Sequence, residues 1–185
     1  MYVKKTDVIL AILLLAAVCV FYINAPRVQI NETTRYGFAV DSIGQVYVGK
    51  KEKIEVYCNG NLVRTIHPGT NRGYAFTIQK DQTILLAAGG MVDVLDLEGK
   101  LLDSWEDEGT QQLNALLWNW EYSTENGDTY TLRNIAGYEW IEKNNQEVVY
   151  SLSVTDYMRT VAFCLSIVYI LLAVLYFLIR WRSSQ

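Results

Sequence analysis

The feature that most limits what this chain can fold into is a set of short apolar runs, written twice between Tyr36 and Thr110. The first copy reads Gly37-Phe38-Ala39-Val40, Gly44-Gln45-Val46-Tyr47-Val48, Ile54-Glu55-Val56-Tyr57 and Asn59-Gly60-Asn61-Leu62-Val63. The second reads Gly73-Tyr74-Ala75-Phe76, Gln82-Thr83-Ile84-Leu85-Leu86, Val92-Asp93-Val94-Leu95 and Glu98-Gly99-Lys100-Leu101-Leu102. Each run is too short for a helix and is bounded by turn residues, so each copy predicts four antiparallel strands. In the first copy these fall at 37–41, 45–49, 53–58 and 62–66, and in the second at 74–78, 83–87, 91–96 and 101–105. Asn59-Gly60 is the strongest hairpin signal, because both residues accept positive φ. A looser third copy follows: 126–132 echoes the second run, 139–142 the third and 146–150 the last. Ahead of it, the spacing of Leu113, Leu116, Leu117 and Trp120 predicts a helical turn leading into a strand at 117–123.

The pattern Asp41-Ser42-Ile43-Gly44-Gln45-Val46-Tyr47-Val48, with Val94-Leu95-Asp96-Leu97-Glu98-Gly99-Lys100-Leu101 later, resembles NHL- or YVTN-like β-propeller repeats. The likeness covers roughly 36–152 and implies radially packed four-stranded blades. Propellers have about 4–8 blades, whereas the repeat here is written about three times. The expected fold is therefore a mainly β domain of about three propeller-like blades, open or completed by association. Its uncovered flanks and edges would invite a partner.

Two stretches belong to a membrane rather than to a soluble core. Residues 8–23 form a run of sixteen without charge, and 160–179 one of twenty, against the roughly 20 apolar residues that a crossing helix needs. The predicted organisation is a cytoplasmic segment 1–7, a transmembrane helix 8–25 and a polar, exposed connector 26–35. The β domain follows at 36–157, then a second transmembrane helix at 158–180 and a cytoplasmic end 181–185. Ile23 and Pro26 suit signal-peptide cleavage poorly, so the first helix is expected to remain as an anchor. Ser153 with Asp156 three residues on reads as the capped start of the second helix. Lys4, Lys5, Arg180 and Arg182 lie at the outer ends of the two runs. The positive-inside rule then puts both termini in the cytoplasm and the central domain outside the cell membrane. Ala162, Ser166 and Tyr169 are the candidates for helix packing, two small residues followed by a hydroxyl that can bond a neighbour.

Charge divides along the chain. Residues 27–80 carry eight Lys and Arg against four Asp and Glu, and residues 81–156 carry three against fifteen. Such halves can attract one another or a neighbouring chain. The candidate interaction surface is thus Trp118, Trp120, Glu106, Asp107 and Glu108 on the acidic side with Lys50, Lys51 and Lys53 on the basic side.

Catalytic chemistry finds little footing. His67 stands alone before Pro68 in an expected loop, no Gly-x-Ser-x-Gly occurs, and Cys58 is the one thiol between the apolar runs. One histidine and one thiol cannot close a zinc site, and the many carboxylates follow no EF-hand or nonapeptide calcium pattern. No glycine-rich phosphate loop precedes a helix, and a net-negative domain argues against nucleic acid. No catalytic residue, metal or cofactor is expected. The expected function is non-enzymatic: a two-pass membrane protein presenting a β-repeat domain outside the cytoplasm to another membrane protein or to further copies of itself. A second reading makes Trp118, Trp120 and the acidic half a pocket for a sugar, peptide or cation, as in a ligand sensor. An acid-dependent hydrolase ranks below both.

Overall fold

The computed structural model describes residues 5–25, 32–70, 73–106 and 120–182. Trp118, Asp107, Glu108 and the expected helical turn lie outside the described residues. The chain divides into two units, one built from the helices near its two ends and the other a β domain spanning Asn31–Leu152.

The described helices are α1 (Lys5–Asn24), α2 (Glu32–Tyr36) and α3 (Val154–Arg182). Within the helical unit α1 and α3 run antiparallel: Asp7 pairs with Arg180 at one end, and Phe21 stacks on Phe163 at 5.0 Å toward the other. Both are long and apolar enough to cross a membrane, with mean hydropathies of 2.4 over Asp7–Asn24 and 2.7 over Val154–Arg180. α3 starts directly after Ser153, whose carbonyl accepts from Tyr157 N–H at 3.0 Å.

The β domain consists of three four-stranded antiparallel sheets, each a meander in chain order. The first is β1 (Phe38–Val40), β2 (Val46–Gly49), β3 (Ile54–Cys58) and β4 (Asn61–Ile66). The second is β5 (Tyr74–Ile78), β6 (Ile84–Ala88), β7 (Met91–Leu95) and β8 (Leu101–Glu106). The third is β9 (Glu121–Ser123), β10 (Thr129–Ile135), β11 (Tyr138–Lys143) and β12 (Glu147–Ser151). Period-two alternation sorts the first sheet's side chains onto two faces. Ala39, Tyr47, Ile54, Val56 and Ile66 pack on Tyr74, Phe76, Ile84, Leu86 and Leu95 of the second sheet. Phe38, Val40, Val46 and Val48 pack on Tyr130, Leu132, Ile141, Val149 and Tyr150 of the third. The first sheet is therefore covered on both faces, which is why every residue of β2 is buried.

One turn recurs. Asp41 N–H donates to the Gln45 carbonyl and Gly44 N–H to the Asp41 carbonyl, both at 3.1 Å. The same two bonds join Gln79 to Thr83, Asp96 to Lys100 and Thr124 to Asp128. This is a type I turn closed by a left-handed residue, here Gly44 at φ 84°. Glycine fills that position in three of the four turns, and Gln82 holds it at φ 64° in the other. Asp41 and Asp96 reinforce their turns through Oδ1, which accepts two backbone N–H groups in each, the nearer at 2.8 Å.

The connector departs from expectation. Instead of an exposed link, Glu32–Tyr36 is helical, with Thr33 and Tyr36 buried. Its first-turn amides find their acceptor across the domain. The Glu139 carboxylate, 0% exposed, accepts from Thr33 N–H at 3.0 Å, Thr34 N–H at 2.9 Å and Asn134 Nδ2 at 3.3 Å, as well as from the Thr34 hydroxyl. The Glu139 carbonyl also takes Leu152 N–H at 2.8 Å, so the two ends of the domain meet at one residue. Tyr36 stacks on Tyr74 at 5.0 Å, and its Cβ lies where a side chain at Gly49 would be, 2.6 Å away.

Lys50, expected on an exposed interaction surface, is 3% exposed. Its Nζ donates to Tyr150 Oη at 2.7 Å. Its N–H donates to Tyr74 Oη at 3.1 Å, and that hydroxyl lies 2.7 Å from the carbonyls of both Lys50 and Lys53. Burial alone lowers the Lys50 ammonium, but Tyr150, Glu32 and Glu55 outweigh it and the net direction is upward. A long apolar stem and a hydroxyl at its tip make this burial tolerable.

Removing the Glu139 acceptor is expected to cost the fold more than weakening it. Glu139→Ala strands the Thr33 and Thr34 donors and should lose about 3–5 kcal/mol, against roughly 1–2 for Glu139→Gln, which keeps one carbonyl oxygen. Urea unfolding of the chain in micelles, followed by tryptophan fluorescence, measures both. Equal losses would contradict the assigned acceptor role.

Candidate functional site

The inner hairpins of the three sheets turn at the end of the domain opposite α2, and together they enclose a cleft of about 600 Å³. Residues 40–42, 77–80, 82 and 122–126 line it, so each sheet contributes its own turn. The turn geometry sets which side chains face the opening. Gln82 occupies the left-handed position, and its Oε1 reaches the neighbouring turn to accept from Ser42 N–H at 3.1 Å and Ser42 Oγ at 2.9 Å. A glycine there would lose this bridge, which gives a reason for a strained glutamine where the other turns have glycine.

Charge in the cleft is compensated. Asp41 is buried and spends Oδ1 on the Ile43 and Gln45 amides, while Oδ2 accepts from Tyr47 Oη at 3.3 Å. Arg64 completes the chain, donating to Tyr47 Oη at 3.0 Å. Lys80 and Glu125 pair at 2.9 Å across the rim. Tyr122 is half-buried, and burial, then Asp41 and Glu125, push its phenol upward, so it stays a donor at neutral pH.

The residues expected to form an interaction surface are distributed over the sheets. Trp120 is exposed just before β9, its carbonyl accepting from Leu132 N–H at 2.8 Å. Glu106 ends β8, exposed and opposite Met91. Lys51 is exposed in the β2–β3 turn, and Lys53 pairs with Glu55 at 2.6 Å. On α3, Ala162 is half-buried and Ser166 is buried, its hydroxyl donating to the Phe163 carbonyl at 2.6 Å rather than to another helix. The Tyr169 hydroxyl is buried with no hydrogen-bond partner among the described residues. His67 is exposed after β4, and Cys58 is a half-buried thiol in β3. Among the described residues, no three His, Cys, Asp or Glu are placed to hold a metal ion. Sequence reasoning looked to Trp118 and Trp120 for a pocket and missed the cleft. Its one visible signal was the recurrence of Asp41-x-x-Gly44 as Thr124-x-x-Gly127.

No family model matches this chain, and no curated protein matches it. A crystal structure of a protein of unknown function from Bacteroides caccae is similar at a TM-score of 0.31 and 13% identity, covering 63% of this chain. This chain spans 44% of that protein's length.

The layer behind the cleft makes a pH prediction. Burial, and next the Asp41 carboxylate, push the Tyr47 phenol from 10.0 up to about 12 against the opposing pull of Arg64. The folded state then holds a proton that the unfolded chain releases, so stability is complete below about pH 10 and falls as pH rises toward 12. Tyr47→Phe should flatten that decline while costing about 1 kcal/mol at pH 7 through the lost hydroxyl bonds. Denaturation midpoints between pH 7 and 12 measure both effects, and an unchanged slope would contradict the assignment.

Proposed function

We propose that this chain is a non-enzymatic, two-pass membrane protein whose β domain forms three propeller-like blades outside the cytoplasm. There it serves the assembly of a complex with another membrane protein or with further copies of itself. The observation that carries the reading is β8. It is the outer strand of the second sheet, exposed along its whole length, with Leu101, Leu102 and Trp105 at 55%, 54% and 44%. An edge strand offers unpaired backbone groups, and native sheets usually blunt such an edge or give it a partner. Ile135 and Val148 are likewise exposed on the third sheet. Two features support a membrane location. α1 and α3 are apolar over lengths that cross a bilayer, and Lys5 opens the one while Arg180 and Arg182 close the other at the same end of the antiparallel pair.

Two measurements test the proposal. A cysteine placed at Ser42 should react with a membrane-impermeant maleimide on intact cells; labelling only after permeabilisation would overturn the topology. In mild detergent the complex should exceed the mass of one chain. Leu101→Asp with Trp105→Asp should reduce it to the single chain, with the far-ultraviolet dichroism unchanged. A wild-type chain that migrates alone, with no crosslinked neighbour in native membranes, would overturn the assembly role.

A further inference from the structure

We propose that the cleft enclosed by the three inner turns is a binding site for a neutral, hydroxyl-rich ligand, a saccharide of one or two rings. This site is independent of the assembly surface, which lies on β8.

Size and shape admit such a ligand, since small-molecule sites run to about 300–1,000 Å³ and this cleft holds about 600 Å³. The argument then rests on which polar groups remain unspent. Folding consumes most of the polar side chains nearby, as Asp41 shows. Thr77, Tyr122, Ser123 and Asn126, however, line the cleft with side chains that hydrogen-bond to no other group among the described residues. Gln79 and Gln82 each use their Oε1, toward Thr83 and Ser42, which leaves their amide NH₂ groups free to donate. Hydroxyls, a phenol and carboxamides from the second and third sheets are thereby gathered around one opening whose third side is the first sheet's turn, and none of these groups is charged.

The charged groups do not alter that character. Lys80 and Glu125 neutralise one another, and the buried Asp41 carboxylate is already bonded to two amides and a phenol. An anion or cation entering here would lose its hydration without finding an unpaired opposite charge. Val40 and Ile78, both buried, add an apolar contribution to the lining. Apolar side chains lining the cleft beside neutral donors and acceptors match a sugar ring, whose C–H faces pack while its hydroxyls both give and accept hydrogen bonds.

The test uses the full chain in an amine-oxide detergent or a nanodisc, because maltoside and glucoside headgroups would compete. Glucose, galactose, N-acetylglucosamine, cellobiose and lactose serve as probes, with saturation-transfer NMR and calorimetry as the readouts. At least one is expected to bind with a Kd below about 1 mM and to raise the melting temperature. Asn126→Ala and Gln79→Ala should each weaken that binding by about tenfold; Asn126→Ala should leave the unliganded melting temperature unchanged, whereas Gln79→Ala also gives up the Thr83 hydroxyl bond and should lower it slightly. Lys80→Ala combined with Glu125→Ala removes only the compensated pair and should leave binding within about twofold. Absence of binding by every probe overturns the proposal, as does binding that survives both amide variants. Binding abolished in the Lys80/Glu125 double variant, or a preference for a charged peptide over every sugar, would show a charged ligand and overturn it equally.

Discussion

The buried carboxylate of Glu139 is the constraint on which the β domain's geometry depends. A helix of five residues has too few internal hydrogen bonds to persist alone, and its leading amides have no partner of their own. Glu139 supplies that partner to α2 from a hairpin more than a hundred positions later in the chain. With α2 in place, Tyr36 reaches Tyr74 of the second sheet and Tyr150 of the third reaches Lys50 of the first. One polar junction thus joins elements of all three sheets at the end where the domain's chain enters and leaves. A buried charge of this kind is tolerated because each oxygen is occupied by donors, at distances of 2.9–3.3 Å for those to Thr33, Thr34 and Asn134.

At the opposite end the same fold leaves polar groups unspent. The recurring turn fixes each inner hairpin by backbone bonds that need no help from the cleft-facing side chains. Asp41 and Asp96 take part in their turns, while the side chains of the third sheet's turn face the cleft with less to do. The contrast between a saturated junction at one end and an unsaturated opening at the other is what sets the cleft apart. Turns of this type can vary in sequence without loss of the strands they join, so chemistry can reside there.

The strands were legible in the sequence because their pattern is local. A period of two, broken by Asn59-Gly60, Gly89-Gly90 and Glu98-Gly99, places the sheets' first eight strands to within about two residues of where they fall. The two apolar helices were legible for an equally local reason, their uncharged length. The connector was not, since Glu-Thr-Thr-Arg-Tyr has neither periodicity nor length to announce a helix. Lys50 was misplaced because a lysine beside Lys51 reads as solvated surface. Only the approach of Tyr150, a hundred positions away, makes a dry site for it. The cleft escaped notice for the same reason: Gln79, Tyr122 and Asn126 are unrelated positions until three turns converge.

By itself the sequence determined the elements: β-hairpins of the right length and turn type, and two helices apolar enough for a bilayer. These follow from backbone sterics and from the alternation of apolar and polar side chains, which operate over a few residues. Tertiary structure decided that the first sheet is covered on both faces, that Glu32–Tyr36 coils into a helix, and that neutral polar groups gather at one end. Those outcomes depend on contacts between residues forty to more than a hundred positions apart, whose energy exists only once the intervening chain has been brought into place.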